Sequence, residues 1–499
     1  MSQLESAIRP GGQESDAAIR SSLLRLAAPL VGMTITRFLM GFIDFAMVSW
    51  LGTTEQAAIS PATMVAFVIG CVAMGITTAV QAFVSQADGR GERYVAGAYA
   101  WQSLYIALIF GAIGVPLGLT TEYWFGPIAA LGKHTPQVAE LEIAYIQISM
   151  LFLAPVIASI GLNGFFMGIQ RPGVALTATL VALVINAFAN WVLIFGNLGF
   201  PKLGVAGAAI ATSLGWMIRS GIMLVVSNDA EYHTRRSWRW DWKRMRDLVS
   251  IGAPTSVQWL LDLGSWVVFM IFIIPPFGEA AMAATNIAMQ YMHMSFMPAI
   301  GIGMAVCSKV GFCIGERQPN QAHRYAHTGF RMVAVYMSAV GLVFLFAREP
   351  LIWLFNKETA VVSVGGAIMI WVAVFQFFDA MCIVYSNALR GAGDTRVPAI
   401  FSSLSCWIIF IGGGVAMAYG ARGFGIAGPW TMCAMNIIVL GLLFRARWNS
   451  NRWQRIKLFD HEPVSGSATP GQPVVLAQTD SAEMAVPHDS TELEPAAVK

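Results

Sequence analysis

About a dozen apolar runs of roughly 20 to 30 residues dominate the chain. A helix rises about 1.5 Å per residue, so a run of this length crosses the roughly 30 Å hydrocarbon core of a membrane. Only 12% of the 499 residues are charged, whereas a soluble globular protein carries about 25%. The pattern predicts an all-α polytopic membrane protein and excludes a cytosolic enzyme.

We predict twelve transmembrane helices. Their approximate bounds are 23–51, 57–86, 95–119, 139–166, 173–197, 203–227, 248–275, 280–308, 326–347, 362–388, 397–420 and 425–446. Residues 1–22 lack the features of a cleaved secretory signal, so we assign them to a cytoplasmic N-terminal segment and expect the first span to be retained.

Lys and Arg are distributed unevenly between the two sets of loops. The termini and even-numbered loops, with the adjoining span ends, carry 22 of the 31 basic residues, and the opposite loops carry 5. Because basic residues accumulate on the cytoplasmic side, both termini are predicted to be cytoplasmic. We expect a multi-pass protein of the bacterial inner membrane.

A short internal repeat divides the chain into two halves. Gly75-Ile76 and the residues after it recur from Gly301, and the segment 204–207 recurs at 425–428. Two six-helix lobes in parallel orientation are therefore predicted, at 23–227 and 248–446, with a substrate path between them. A basic cytoplasmic linker is placed at 228–247, and a disordered acidic tail at 447–499.

Four charged residues lie deep in predicted spans, where each costs about 2.5 to 3.5 kcal/mol. They are Asp44, Asp262, Asp379 and Arg37, which we take as the only deep basic residue. Charges this costly are usually functional, although they can also pair merely to join helices. Asp262 and Asp379 are predicted to form the cation-coupling site, for a proton or a sodium ion, and Asp44 is predicted to be a second acidic site in the other lobe.

Further polar and aromatic side chains accompany the acids at helical spacing. Gln258 and Gln376 precede Asp262 and Asp379 on the same helical faces. Trp259 and Trp266 flank Asp262 and are candidate contacts for an organic cation, although core or lipid-facing tryptophan is an equal alternative. The other candidate supporting groups, which can also simply join helices, are Asn186, Asn190, Asn286 and Gln290.

Other function classes find little support. No P-loop occurs, so transport would be driven by a gradient. The six cysteines have no metal-ligand spacing, and neither disulfides nor a cofactor are expected. Gly391-Ala-Gly393-Asp394 has the spelling of an intramembrane aspartyl protease, but Arg390 and Arg396 place Asp394 in a cytoplasmic turn. The basic loops follow from membrane topology and imply no nucleic acid partner.

At these positions the chain resembles the multidrug and toxic compound extrusion (MATE) family, over about residues 22–446. The segments that carry the resemblance are 41–44, 204–212, 303–316, 376–379 and 389–395. It implies export of cationic, often aromatic drugs by antiport with sodium or protons, through alternating access of two six-helix lobes.

The resemblance also implies roles for individual residues. Asp44 is similar to the first-span carboxylate of the family, and Asn186 and Asn190 to the fifth-span polar pair beside it. Asp262 and Asp379 resemble the seventh- and tenth-span acids of the norfloxacin-exporting branch, although Asp replaces the usual Glu at 262. Arg37 has no recognised counterpart, and it could pair with Asp44 or attract an anionic substrate.

We therefore predict a monomeric antiporter, embedded in membrane lipid, that exports small organic cations and is not an enzyme. The alternative is a flippase or exporter of an anionic or lipid-linked substrate, for which Arg37 is the main support.

Overall fold

The computed structural model describes residues 15–459 except 133, 228–231, 233, 235–236 and 421, and it describes only the backbone at 422. Throughout these residues the chain is helical and contains no strand. The first half, residues 16–226, contains α1 (Asp16–Ser49), α2 (Thr53–Thr78), α3 (Val80–Gly89), α4 (Arg93–Leu119), α5 (Thr121–Leu131), α6 (Pro136–Leu151), α7 (Leu153–Gly168), α8 (Pro172–Phe195) and α9 (Gly204–Val226). The second half, residues 242–449, contains α10 (Trp242–Val268), α11 (Glu279–Gly315), α12 (Pro319–Phe346), α13 (Arg348–Phe355), α14 (Thr359–Gly391), α15 (Arg396–Ser405), α16 (Gly413–Val415) and α17 (Ala427–Asn449).

The helices supply twelve membrane spans. Eleven helical segments of the described chain are long and apolar enough to cross a membrane, and α6 and α7 form a twelfth, bent by 53°. Several spans run through short π-helical or 3-10 segments, at Phe269–Ile273, Pro275–Phe277, Cys406–Gly412 and Ala416–Gly420. The predicted all-α class with twelve transmembrane helices is confirmed.

Each half has its own apolar core. In the first half, Val48, Phe125, Ile146 and Ile194 belong to one buried cluster. In the second half another buried cluster is built from large side chains, among them Phe269, Phe375, Phe410 and Trp430. Two separate cores are the arrangement expected of two lobes.

The sequence repeat occupies equivalent places in the two halves. Gly204, which begins α9, has φ +56°, and Gly425, just before α17, has φ +55°. Both positions need the left-handed backbone that glycine adopts without strain. Gly75 on α2 lies against Ser256 of the second half, and Gly301 on α11 lies against Val31 of the first. The Gly75 and Gly301 copies of the repeat therefore both lie where the two halves touch.

The two halves meet along a surface that we call the junction, formed mainly by α1 and α2–α3 against α10 and α11. Ser256 Oγ donates to Val72 O at 2.6 Å, and Gln81 Nε2 donates to Met304 O at 2.9 Å. Gln86 Nε2 donates to Gly391 O at 2.9 Å, between buried groups. These bonds lie in the C-terminal part of α2–α3, the N-terminal part of α10 and the C-terminal part of α11, so they share one end of the molecule.

Two predicted boundaries differ from the structure. The linker placed at 228–247 ends earlier, because Asp241 caps α10 by accepting a hydrogen bond from the backbone N of Arg244 at 3.1 Å. Part of the linker lies outside the described residues.

The tail placed at 447–499 begins later, because α17 continues to Asn449 and a 3-10 turn follows at Arg452–Arg455. Trp448 and Trp453 are buried and stack at 4.5 Å. Residues 460–499 lie outside the described residues.

Candidate functional site

Two neighbouring cavities lie beyond the junction, and Met64 on α2 lines both. The Asp44 cavity has a volume of about 810 Å³ and is walled mostly by α1 and α2, with Tyr145, Thr212 and Trp216 behind them and Met297, Ile300 and Met304 from α11. The Met-Trp cavity has a volume of about 510 Å³ and is lined by Leu263, Trp266, Val267, Met270, Ile271, Met289, Met292, His293 and Phe296, with Met64.

Asp44 is buried in the wall of the first cavity, where three polar side chains from two other helices surround it. Asn190 Nδ2 donates to Oδ1 of Asp44 at 2.5 Å, and Thr212 Oγ1 donates to Oδ2 at 2.8 Å. Asn186, one turn before Asn190 on α8, also interacts with this carboxyl. The structure therefore brings Asp44, Asn186 and Asn190 together, as the family resemblance implies, and it adds Thr212.

The surroundings of Asp44 contain no formal positive charge within ion-pair distance in the described residues. Asn190 Oδ1 is buried without a hydrogen-bond partner in that part of the chain, and Asn186 Oδ1 accepts only the 3.4 Å bond from Asn190. Carboxylate, amide and hydroxyl oxygens are the groups that hold a proton or a hard cation such as sodium. Asp44 and its neighbours can therefore bind a single small cation from the cavity.

Asp262 lies in the second half with fewer polar neighbours. Ser402 Oγ donates to Asp262 Oδ1 at 3.2 Å, and the Gln258 side chain also interacts with this carboxyl. Gln258 therefore accompanies Asp262, as its helical spacing predicts. Asp262 is not among the residues that line the two cavities.

Asp379 is partly buried on α14 and makes no hydrogen bond or ion pair with any described residue. Gln376 does not accompany it, although the two are three residues apart. Gln376 instead reaches α11, where its Nε2 donates to Ser295 Oγ at 3.2 Å, and its Oε1 is buried without a partner in the described chain. No hydrogen bond joins Gln376 to Asp379 in the described chain, and the role of Gln376 as a supporting oxygen for that acid stays a prediction.

Asp262 and Asp379 are not joined by a hydrogen bond. Cys406 is close enough to Asp262 to interact with it electrostatically, and Cys433 is close enough to interact with both Cys406 and Asp379. The described residues contain no group of three or more His, Cys, Asp or Glu side chains that could hold a metal ion. Asn286 and Gln290 are exposed on α11 and contact neither acid through a hydrogen bond. All six cysteines are free.

The two candidate tryptophans have different surroundings. Trp266 lines the Met-Trp cavity and packs against Phe410, with ring centroids 5.1 Å apart. Trp259 instead packs against an apolar cluster of the first half that includes Met74 and Leu153. Trp266 is thus exposed to a cavity, whereas Trp259 packs where the two halves meet.

Arg37 lines the Asp44 cavity but does not pair with Asp44. Its guanidinium lies over the Trp216 ring, 5.4 Å from the centroid. Arg219 is 3% exposed and lies 5.5 Å from the centroid of the same ring. From the sequence we did not place this residue deep in a span. Arg37 is therefore not the only deep basic residue. Arg219 lies three residues after Trp216, and this spacing on one helical face was the available signal.

Asp394 is 2% exposed, so it does not lie in the solvated turn that its flanking arginines suggest. It forms an ion pair with Arg447, whose Nε lies 2.7 Å from Oδ2. The charge of Asp394 is thus balanced within the protein, and the carboxyl is not paired with Asp379. No aspartyl dyad forms from these two residues.

Comparisons with known proteins agree with this architecture. The MatE family profile matches residues 29–192 and 254–415. The chain is 29% identical over 444 residues to a probable multidrug resistance protein NorM of Rhizobium meliloti, covering 85% of this chain and 92% of that protein. It is 30% identical over 421 residues to a probable NorM of Bradyrhizobium diazoefficiens, covering 82% and 88%.

Solved structures show the same fold. A multidrug resistance MATE family transporter in an outward-facing conformation aligns with a TM-score of 0.78 at 20% identity, covering 87% of this chain and 97% of that chain. A Vibrio cholerae MATE transporter in its bent form aligns with a TM-score of 0.77 at 18% identity, covering 88% and 98%.

Proposed function

Because the chain belongs to the MatE family of membrane transporters, we propose that it is a secondary antiporter that exports small organic cations in exchange for sodium ions or protons. Its NorM relatives are named multidrug resistance proteins, which supports a broad range of organic substrates. We place it in the bacterial inner membrane as a monomer, with both ends of the described chain on the cytoplasmic side, in line with the distribution of basic residues.

One observation carries the proposal: Asp44 is an acid held only by neutral groups in the wall of a cavity that reaches both halves. Asn190 and Thr212 donate to it, which leaves its negative charge uncompensated by the protein. A cation entering the cavity can balance this charge. If the coupling ion and the substrate both depend on Asp44, binding of one displaces the other, and exchange follows.

Two further acids, Asp262 and Asp379, form a second acidic region in the other half. Neither lines the described cavities, and each has fewer polar partners than Asp44. We propose that they bind the coupling cation in a different conformation or tune the charge of the second half. Sodium at these two residues remains part of the proposal, with Gln258 as a supporting oxygen.

The Met-Trp cavity suits the substrate. Its lining is almost wholly apolar, and its volume of about 510 Å³ is within the range of sites for drug-sized molecules, roughly 300 to 1,000 Å³. Trp266 can attract an organic cation through its ring. Methionines adapt their shape to varied ligands, and Met270, Met289 and Met292 line this cavity.

The junction and cavities together favour alternating access. With the N-terminus of α1 on the cytoplasmic side, the junction closes that side, and the cavities lie toward the opposite side. Export then requires the junction bonds, such as that between Gln81 and Met304, to break while the other ends of the halves approach. Net entry of one positive charge per cycle across 100 mV supplies about 2.3 kcal/mol, enough for a roughly fifty-fold gradient of substrate. A one-for-one exchange of monovalent cations moves no net charge and is driven by the concentration gradient of the coupling ion alone.

The proposal is tested with purified protein in liposomes, under sodium and proton gradients imposed separately. We expect one of the two gradients to drive efflux of a fluorescent organic cation, and Asp44→Asn to remove this drive. Glu358→Gln changes an exposed acid outside both cavities and is the matched control. Gradient-driven efflux at the wild-type rate by the Asp44→Asn variant would refute the role of Asp44.

Export of an anionic or lipid-linked substrate is less well supported. The resemblance to multidrug transporters runs through both halves of the chain, and the cavity that contains Arg37 also contains Asp44. A purely anionic substrate would be repelled by that carboxylate.

A further inference from the structure

Arg37 presents an unused cationic group to the Asp44 cavity. Its guanidinium makes no hydrogen bond or ion pair with any described residue, although it has five N–H donors. Within the described residues the guanidinium lies over the face of Trp216, 5.4 Å from the ring centroid. Stacking on a ring holds the planar group in place and leaves its N–H edges available. Arg37 is therefore a positioned donor that faces open space.

Arg219 lies on α9 behind the same ring, and neutral side chains use its donors. Its Nη1 donates to Ser159 Oγ at 2.5 Å, its Nε to Thr179 Oγ1 at 2.9 Å, and its Nη2 to Asn163 Oδ1 at 3.3 Å. No carboxylate neutralises it within ion-pair distance in the described chain. Arg219 and Arg37 are close enough to interact electrostatically. Two positive charges therefore adjoin this part of the cavity without a protein anion between them.

Asp44 lies on the same wall at a distance that the helix fixes. Seven residues separate Arg37 from Asp44 on α1, which is a rise of about 10 Å and about 20° short of two full turns. Both residues line the same cavity. One wall thus presents a free cation near the junction and an anion about two turns farther from it. Neither neutralises the other.

We propose that Arg37 forms an anion-binding subsite that selects zwitterionic substrates, namely aromatic molecules that carry a carboxylate and a cationic nitrogen roughly 10 Å apart or less. The carboxylate of the substrate accepts hydrogen bonds from Arg37, and its cationic group lies toward Asp44. Arg219 contributes positive potential from behind Trp216. This inference rests on the proposed export function in one respect. Both use Asp44 as the group in this cavity that binds a positive charge.

The test uses two dyes that differ in one group. Rhodamine 110 is a zwitterion with a free carboxylate, and rhodamine 123 is its methyl ester and is a cation. Equilibrium binding of each dye to the purified full-length protein is measured by fluorescence polarisation. The variants are Arg37→Ala and Arg37→Lys, with Arg331→Ala as the control, since Arg331 is an exposed arginine outside both cavities.

We expect Arg37→Ala to weaken binding of rhodamine 110 by about ten-fold or more, because a charge-assisted hydrogen bond is lost. Binding of rhodamine 123 should change by less than about two-fold or become tighter, since repulsion is removed. Arg37→Lys should recover most of the binding of rhodamine 110, and Arg331→Ala should leave both dyes unchanged.

An equal effect of Arg37→Ala on both dyes, no effect on either, or failure of the wild-type protein to bind rhodamine 110 would overturn the subsite. Efflux of rhodamine 123 from liposomes separates this result from the proposed function. Gradient-driven efflux of rhodamine 123 without discrimination at Arg37 preserves the export function and removes the subsite. Discrimination in binding without gradient-driven efflux preserves the subsite and removes the antiport.

Discussion

The two halves share a repeated backbone but differ in the chemistry of their acids. In the first half, Asp44 is buried in a cavity wall, and Asn190 and Thr212 both donate to it. In the second half, Asp262 accepts one hydrogen bond from Ser402, and Asp379 has no hydrogen bond in the described chain. A carboxylate with prearranged neutral donors can exchange a small cation, because its partners stabilise the charge whenever the cation leaves.

The two cavities also differ in polarity. The Asp44 cavity combines charged and hydroxyl-bearing side chains, whereas the Met-Trp cavity is lined by methionine, aliphatic and aromatic side chains, with His293 as its polar member. The Asp44 cavity is lined mostly by the first half and the Met-Trp cavity mostly by the second. A few side chains therefore give the two halves cavity walls of different polarity.

The comparison of the acids predicts the largest loss of transport. Replacing Asp44 by Asn should lower the rate of gradient-driven efflux by about a hundred-fold, since the amide can neither bind a proton nor balance a cation. Asp262→Asn and Asp379→Asn should lower it by about ten-fold each. Initial efflux rates from liposomes at equal protein content test this order, and a larger loss with Asp379→Asn would reverse the assignment of the main coupling acid.

Replacing the hydrogen-bond donors to the acids should have intermediate effects on the affinity for the coupling ion. Thr212→Val removes one donor to Asp44, and a hydrogen bond to a charged group contributes about 1.5 to 3 kcal/mol. The apparent affinity for the coupling ion should therefore change by about ten-fold or more, with a smaller change in maximal rate. Ser402→Ala removes the donor to Asp262 and should change that affinity by less than about three-fold. Equal effects of the two variants would mean that the halves contribute equally to coupling.

Trp266 and Trp259 test which part of the molecule binds the substrate. Trp266→Ala removes a ring from the Met-Trp cavity and should weaken binding of rhodamine 123 by about five-fold, within the range of a cation–ring contact. Trp259→Ala should leave this affinity within about two-fold, because its ring packs against the first half. Fluorescence polarisation measures both. Stronger loss with Trp259→Ala would place the substrate at the junction instead.

The junction should show the smallest effect. Gln86→Ala removes one bond between the halves, and a neutral hydrogen bond contributes about 0.5 to 1.5 kcal/mol. In a Met64→Cys background, labelling by an impermeant maleimide from the cytoplasmic side, relative to the opposite side, should rise by about two- to four-fold, toward the lower end of that range. Ser220→Ala removes only a local bond on α9 and is the control. An unchanged ratio would mean that this bond does not hold the conformation.

Some of the site follows from local periodicity. Asn186 and Asn190 are four residues apart, so they share a face of α8 wherever that helix packs. Gln258 accompanies Asp262 for the same reason. Gln376 and Asp379 have a similar spacing, but the side chain of Gln376 forms its hydrogen bond with Ser295 on α11, across the helix interface. Thr212 and Trp216 were missed, because a threonine or a tryptophan in an apolar run has no distinctive pattern. Arg219 lies within the predicted span 203–227, and its charge there was a signal that could have been used.

The sequence by itself determined the spans, their number and the division into two halves, since these depend on hydrophobic length and on a repeat that can be read along the chain. The tertiary structure alone decided which charges meet. It separated Arg37 from Asp44, placed Arg219 behind Trp216, and gave Asp44 neutral donors from α8 and α9. The physical reason is that partners on different helices depend on how those helices pack, and helical spacing carries information only within one helix.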